Sequence, residues 1–117
     1  MTALLAAQAR FAGYVAKLLE YAATLPDTLV TLGEAWRSPR EAAADAAAGC
    51  GIADSLHISR LAIDLNVFVR EEYQTDAAAY KPLGLYWQTL DPNCRWGGDF
   101  TKPDPDHFSL SIGDGRA

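Results

Sequence analysis

Two segments with the alternation of β-strands most constrain the fold of this chain. Between residues 61 and 67, apolar side chains at odd positions alternate with small or polar side chains at even positions. Because successive side chains of a strand point to opposite faces of a sheet, Asp64 lies on the polar face. Residues 107–112 alternate in the same way, with His107 on the polar face. If the two strands pair, Asp64 and His107 share one surface of the sheet.

Three helices and a further strand are predicted around these two segments. Residues 3–23 carry apolar side chains at near-helical spacing, which predicts an amphipathic helix that covers a sheet. Residues 28–36 alternate as a strand would. A second helix is predicted to begin after Ser38, a typical N-cap residue, and to end at Gly49. A third helix is predicted over residues 77–90.

These elements predict an α+β fold, a small single domain over residues 1–117 with an antiparallel sheet and helices packed on one face. A chain of 117 residues can form one core, but it is too short to add a separate targeting module of ordinary size. Arg10, Lys17 and Glu20 interrupt the apolar N-terminal region, which predicts neither a signal peptide nor a membrane span. The net charge of -5 argues against nucleic acid as a partner, and a monomer is expected.

The two cysteines, Cys50 and Cys94, lack the CxxC spacing of metal and redox motifs. They are compatible with two buried thiols or with one disulfide bridge. Because no export signal is recognised, reduced structural thiols are the favoured interpretation.

The two histidines of the chain, His57 and His107, lie beside acidic residues in segments with a strand-like pattern. A catalytic zinc site uses three imidazole or carboxylate ligands and one open position. His57, Asp64 and His107 are candidate ligands, and Asp104 is a candidate spare carboxylate. The offset of seven residues from His57 to Asp64 is odd, so a turn or bulge must separate them if both bind one metal. The alternative is two ordinary histidines among solvated aspartates.

Three stretches of the chain together resemble a known family. They are Ser55-Leu-His-Ile-Ser-Arg-Leu-Ala-Ile-Asp64, Trp96-Gly-Gly-Asp-Phe100 and Asp104-Pro-Asp-His-Phe108. They are similar to the VanY-type zinc D-alanyl-D-alanine carboxypeptidases and the related phage L-alanyl-D-glutamate endopeptidases. The pattern of that family is S-x-H-x-x-G-x-A-x-D, an approach similar to W-x-G-G-x-F, and a closing acid-x-x-H. The resemblance runs from about Trp36 to Ile112.

The resemblance implies a fold of the Hedgehog and D-Ala-D-Ala peptidase type and a single bound zinc ion. It also implies a role for each residue that matches the family pattern. The implied metal ligands are His57, Asp64 and His107, the implied catalytic residues are Asp104 and Arg37, and the implied substrate-binding residues are Arg37, Ser55 and Trp96.

Two positions depart from the family pattern. Arg60 stands where the family usually has glycine, and glycine permits backbone angles that arginine resists. Asp104 stands where many relatives carry glutamate. Asp106, next to His107, is a competing candidate for the catalytic acid, and the spacing of three residues before His107 favours Asp104.

The implied function is that of a zinc metallopeptidase acting on the peptidoglycan stem peptide. An L-Ala-D-Glu endopeptidase is favoured, of the phage or prophage endolysin type, made in the cytoplasm and acting in the periplasm or cell wall after holin-mediated release. The alternatives are a D-Ala-D-Ala carboxypeptidase, in which Arg37, Arg60 or Arg95 would bind the terminal carboxylate, and a non-catalytic zinc-stabilised binding module. Arg37 has an alternative of its own, a surface ion pair with Glu34 or Glu41.

Overall fold

A computed structural model describes residues 1–49, 55–113 and 116 of the chain. The helices are α1 (Ala3–Ala22), α2 (Pro39–Ala47) and α3 (Ala77–Leu90), and the strands are β1 (Thr28–Leu32), β2 (Ala62–Val69), β3 (Glu72–Tyr73), β4 (Cys94–Trp96) and β5 (His107–Leu110). Short 3₁₀ helices span Leu56–Ser59 and Gly97–Asp99. The strands form one antiparallel sheet in the order β1-β2-β5-β4, and β3 also pairs with β2. The predicted α+β fold is confirmed.

Helices α1 and α3 pack on the apolar face of the sheet. In α3, the Trp87 ring meets the rings of Phe11 and Phe108 edge-on, with centroids 5.8 and 6.1 Å apart. Trp87 and Phe108 are completely buried. This packing assigns one face of β2 and β5 to the core, and the alternation of side chains leaves Asp64 and His107 on the other face.

Each of the three α-helices begins at a side-chain cap. Ser38 accepts a hydrogen bond from the Glu41 backbone N–H at 3.0 Å, so the predicted start of α2 is confirmed.

The apolar stripe predicted for α1 is wrong in its first turn, because Leu4 and Leu5 are exposed and burial begins at Ala7. Among the helices of the described residues, none has both the length and the apolar character to cross a bilayer.

The predicted strand over residues 28–36 ends early, at Leu32. Gly33 donates its backbone N–H to the Asp64 carbonyl at 2.8 Å, and the Asp64 N–H donates to the Glu34 carbonyl at 2.9 Å. Gly33 and Glu34 therefore both lie opposite Asp64, and two residues opposite one is the arrangement of a β-bulge. The bulge ends the regular pairing directly beside Asp64.

Around residues 95–98 the structure has the edge strand β4 followed by a 3₁₀ helix. Cys94 in β4 is a buried free thiol, and burial raises its pKa to about 12. That thiol is therefore inert as a nucleophile at neutral pH. Cys50 lies outside the described residues.

Candidate metal centre and active site

Three side chains meet on the polar face of the sheet: His57, Asp64 and His107. His57 Nε2 lies 3.2 Å from Asp64 Oδ1, and His107 Nδ1 lies 3.7 Å from the same oxygen. The centroids of the two imidazole rings are 5.1 Å apart. One possible ligand atom from each residue can be chosen so that all lie within 4.8 Å of one another. The structure therefore brings the three predicted ligand residues together.

Strand pairing positions two of the three residues. Asp64 in β2 and His107 in β5 are direct partners in the antiparallel register. Leu65 donates its N–H to the Asp106 carbonyl at 2.9 Å, which holds the register next to this pair. Side chains directly opposite one another in such a pair lie on the same face, about 5 Å apart at Cβ. The alternation predicted that Asp64 and His107 would share one face if the two strands paired, and the pairing is present.

His57 reaches the site from a 3₁₀ helix, so the strand pattern predicted around it is wrong. Ser55 caps this helix by accepting a hydrogen bond from the His57 N–H at 3.3 Å. The chain then turns and enters β2, which carries Asp64. The turn that the odd spacing required is present, and it brings both side chains to one face.

The residue that ends this turn is Arg60, at the position of the family glycine. Its φ of 56° and ψ of 38° are left-handed, the conformation that glycine adopts without a side-chain penalty. An L-residue with a side chain loses about 1–2 kcal/mol there. The Arg60 guanidinium lies 5.0 Å from the centre of the Trp36 ring, and a cation–π contact of this kind contributes about 0.5–1 kcal/mol at an exposed site.

The trio fits a zinc ion in two respects. The distances between its ligand atoms suit the metal, and a buried carboxylate oxygen has no hydrogen-bond partner among the described residues. In a tetrahedral site with bonds of about 2.0–2.1 Å, ligand atoms are about 3.3 Å apart. The separations of 3.2 and 3.7 Å from Asp64 Oδ1 are close to that value. Asp64 Oδ1 is buried without a hydrogen-bond partner among the described residues. His57 Nδ1 and His107 Nε2 are also unpaired, but they are not the ring nitrogens that lie near this oxygen. A cation would satisfy the carboxylate oxygen that the protein leaves unpaired.

The charge state of Asp64 also suits a metal ligand. Burial alone would raise its pKa, but the adjacent imidazoles of His107 and His57 outweigh burial and lower the pKa to about 2. Asp64 is therefore a carboxylate at neutral pH. Metal ligands of this type must be deprotonated, so no proton has to leave Asp64 when a cation binds.

A tight turn carries both Asp104 and His107. The His107 N–H donates to the Asp104 carbonyl at 3.1 Å, and the Asp104 N–H donates to the Gly97 carbonyl at 2.9 Å. The Trp96 indole N–H donates to the Pro105 carbonyl at 2.7 Å. Trp96 is only 4% exposed, so the structure places it beneath this turn as a support. Its contact with substrate stays a prediction, as does that of the buried Ser55.

Gly97→Ala should displace the turn, because the new Cβ would lie 2.0 Å from the Asp104 carbonyl oxygen and 2.9 Å from His107 Cβ. We expect the free energy of unfolding to fall by about 1–3 kcal/mol and catalytic efficiency to fall by about 10²-fold. Urea unfolding and peptide hydrolysis measure the two effects. Gly13→Ala, in helix α1, is the control. Apart from its chain neighbours and its own helix backbone, no atom lies within 4 Å of the new Cβ, and the free energy of unfolding should rise by about 0.5–1 kcal/mol. Wild-type values for Gly97→Ala would contradict the tight turn.

Asp104 and Asp106 bring their carboxyl groups together beside the trio. Burial, a hydrogen bond with Asp104 and the charges of Asp64 and Asp104 raise the pKa of Asp106 to about 7. Asp104 is exposed, whereas Asp106 is partly buried. A solvent-accessible carboxylate can exchange protons with water and substrate. The preference for Asp104 as the catalytic acid stays a prediction, and the closeness of the two carboxyl groups was not predicted.

Arg37 is linked to the site by its backbone and to two acids by its side chain. Its N–H donates to the His57 carbonyl at 3.3 Å. Its Nε donates to Glu34 Oε1 at 2.5 Å and lies 3.8 Å from Asp45 Oδ2. The ion pair with Glu34 that the sequence offered as an alternative is thus present, and the contact with Asp45 was not predicted. The roles of Arg37 in substrate binding and catalysis stay predictions.

A second arginine lies on the same face of the sheet. Arg95 in β4 is the register partner of Ser109, two residues beyond His107 in β5. Its guanidinium carbon lies 4.9 Å from the centre of the Phe100 ring, whose centroid is 5.5 Å from that of His107. Phe100 therefore separates a fixed cation from a candidate metal ligand.

Comparisons with known proteins agree with this architecture. The sequence profile of the D-alanyl-D-alanine carboxypeptidase family matches residues 48–110, more than half of the chain. The fold is similar to the crystal structure of Serratia marcescens L-Ala D-Glu endopeptidase ChiX, with a TM-score of 0.74 and 19% sequence identity over 92% of this chain and 82% of that chain. The comparison with curated proteins gave no match. By the family profile, the chain belongs to the D-alanyl-D-alanine carboxypeptidase family of peptidases.

Proposed function

We propose that this protein is a zinc-dependent peptidase that hydrolyses the L-Ala-D-Glu bond of the peptidoglycan stem peptide. The observation that carries the proposal is the meeting of His57, Asp64 and His107, with Asp104 on the same turn as His107. Support for the bond comes from the fold, which is similar to that of an L-Ala D-Glu endopeptidase. The proposed site of action is the periplasm or cell wall, where the stem peptide is found, and the proposed active unit is a monomer of one domain.

In this proposal, His57 Nε2, Asp64 Oδ1 and His107 Nδ1 hold zinc. Zinc bound in this way supplies Lewis-acid activation of water and of the scissile carbonyl at neutral pH. The Asp104 carboxylate takes the proton of the attacking water and returns it to the leaving amine. The Arg37 guanidinium binds the substrate carbonyl or carboxylate and stabilises the charge that develops there.

The second candidate function is removal of the terminal D-Ala from the stem pentapeptide. The matching family profile is that of D-alanyl-D-alanine carboxypeptidases, which supports this reaction. It requires a cation for the free carboxylate, and Arg95, which stacks on the Phe100 ring next to His107, is a candidate. A third candidate of another class is a zinc-stabilised binding module without catalysis. Asp104, exposed and three residues before His107, argues against it because a binding module has no use for the acid.

Product masses distinguish the three candidates. We would incubate the zinc-loaded protein with muropeptides that carry intact pentapeptide stems, beside an Asp104→Ala control. Free stem peptide that begins at D-Glu identifies the endopeptidase, and loss of D-Ala alone identifies the carboxypeptidase. Both products should be absent with the control. No cleavage between about pH 6 and 9, with zinc bound, would favour the binding module.

A further inference from the structure

The guanidinium of Arg37 is held by acidic side chains through one nitrogen. Nε donates to Glu34 Oε1 at 2.5 Å and lies 3.8 Å from Asp45 Oδ2. The Arg37 side chain is 15% exposed and that of Glu34 is 38% exposed, so the pair is partly shielded from water. The contact with Glu34 uses Nε, which leaves Nη1 and Nη2 as donors. These two nitrogens form the planar fork that binds a carboxylate or an oxyanion.

Backbone hydrogen bonds fix the segment that carries this pair to the proposed metal ligands. The Asp64 N–H donates to the Glu34 carbonyl at 2.9 Å, and the Arg37 N–H donates to the His57 carbonyl at 3.3 Å. The bulge at Gly33 and Glu34 redirects the chain as it leaves β1, and bulges beside active sites commonly re-aim side chains. The backbone of Arg37 is therefore fixed relative to the metal centre, and its remaining freedom is that of a long side chain.

We propose that Glu34 is a positioning residue, which holds Arg37 by Nε so that its terminal nitrogens face the substrate. The inference rests on the proposed function, in which Arg37 binds the substrate carbonyl or carboxylate. An arginine side chain loses much rotamer freedom when it binds a ligand. The hydrogen bond to Glu34 removes part of that freedom before the substrate arrives. Glu34 itself acts through Arg37 and does not contact the reacting atoms.

Kinetics of Glu34 variants test this role. Glu34→Ala should lower kcat/KM by about 10-fold, less than the cost of about 10²-fold for a catalytic group displaced by 1 Å, because the Arg37 backbone stays fixed. Glu34→Gln should have a smaller effect, because its amide oxygen can still accept from Nε. The two Glu34 variants should alter the same kinetic parameter that Arg37→Lys alters, whether that is kcat or KM. Glu41→Ala, an exposed acid in the first turn of α2, is the matched control and should stay within about twofold of wild type, as expected for a surface substitution.

A double-mutant cycle separates positioning from a general structural effect. In an Arg37→Ala background, Glu34→Ala should have no further effect on kcat/KM, because coupled residues are not additive. Arginine side-chain NMR gives a readout that does not need activity. The Nε–Hε proton of Arg37, assigned with Arg37→Lys, should exchange faster with water in Glu34→Ala and should be unchanged in Glu41→Ala.

The outcomes distinguish the inference from the proposed function. An Arg37→Ala variant with wild-type kcat/KM would refute the role of Arg37 and with it the positioning role of Glu34, and would leave the peptidase function standing. Absence of hydrolysis by the wild-type protein would instead refute the proposed function. A strong loss in Arg37→Ala, together with equal or higher activity in Glu34→Ala, would overturn only the positioning role. Additive losses in the double variant would overturn it too. Coupled losses with faster Hε exchange would support it.

Discussion

Asp104→Asn should lower kcat by about 10²- to 10⁴-fold, the range that general acid–base catalysis contributes. Asparagine keeps the shape of the side chain but cannot accept the proton of the attacking water. The two backbone hydrogen bonds of Asp104, with Gly97 and His107, do not involve the carboxylate and should persist. Zinc content, measured by elemental analysis, and the unfolding midpoint should therefore match those of wild type while hydrolysis of the stem peptide is lost.

Asp106→Asn is the matched control for this prediction. It removes the same type of group two positions away, from a half-buried site whose neighbours Asp104 and Asp64 are also acidic. Removal of like charge should leave stability equal or higher, and kcat should stay within about tenfold of wild type, since a residue outside the proton transfer is not part of that step. If Asp106→Asn loses activity and Asp104→Asn retains it, the roles of the two acids are exchanged.

His107→Ala should abolish tight zinc binding and, with it, hydrolysis. Two ligands remain, and a site with His57 and Asp64 alone lacks the three-ligand set of a catalytic zinc. We expect the zinc affinity, measured by competition with a chromogenic chelator, to fall by at least about 100-fold, more than loss of an outer-shell partner costs. Because His107 is buried, Asp64→Asn serves as a second variant that keeps the side-chain volume and should also weaken zinc binding.

Asn66→Ala is the control for the metal variants. Asn66 lies on the same face of β2 as Asp64, two residues further along, and its amide donates to Thr31 Oγ1 at 3.3 Å. Its loss should leave zinc affinity and hydrolysis unchanged. A His107→Ala protein that is folded and still binds one zinc with wild-type affinity would contradict the assignment of ligands.

The parts of the fold that were predicted correctly have strong local signals. Helix α3 has the predicted bounds of residues 77–90, and its N-cap is the side chain of Asp76, which accepts from the Ala79 N–H. The placement of Asp64 and His107 on one face follows from alternation with a period of two, since a slip of one residue would set the polar face of one strand beside the apolar face of the other.

The features that were not predicted depend on tertiary context. The 3₁₀ helix of His57 ends at a left-handed Arg60, and nothing in an arginine signals that conformation. Strand β4 has three residues and is defined by its pairing with β5 rather than by its own pattern. The sequence offered Glu34 and Glu41 equally as partners of Arg37, and only the bulge beside Asp64 brings one of them into contact.

The measurement that tests the central claim most directly is a crystal structure of the zinc-loaded protein, with anomalous diffraction recorded on both sides of the zinc absorption edge. We expect one anomalous peak per chain, about 2.0–2.2 Å from His57 Nε2, Asp64 Oδ1 and His107 Nδ1, with a fourth position open. A peak bound by other residues, or an ordered His57, Asp64 and His107 without a peak in saturating zinc, would contradict the claim.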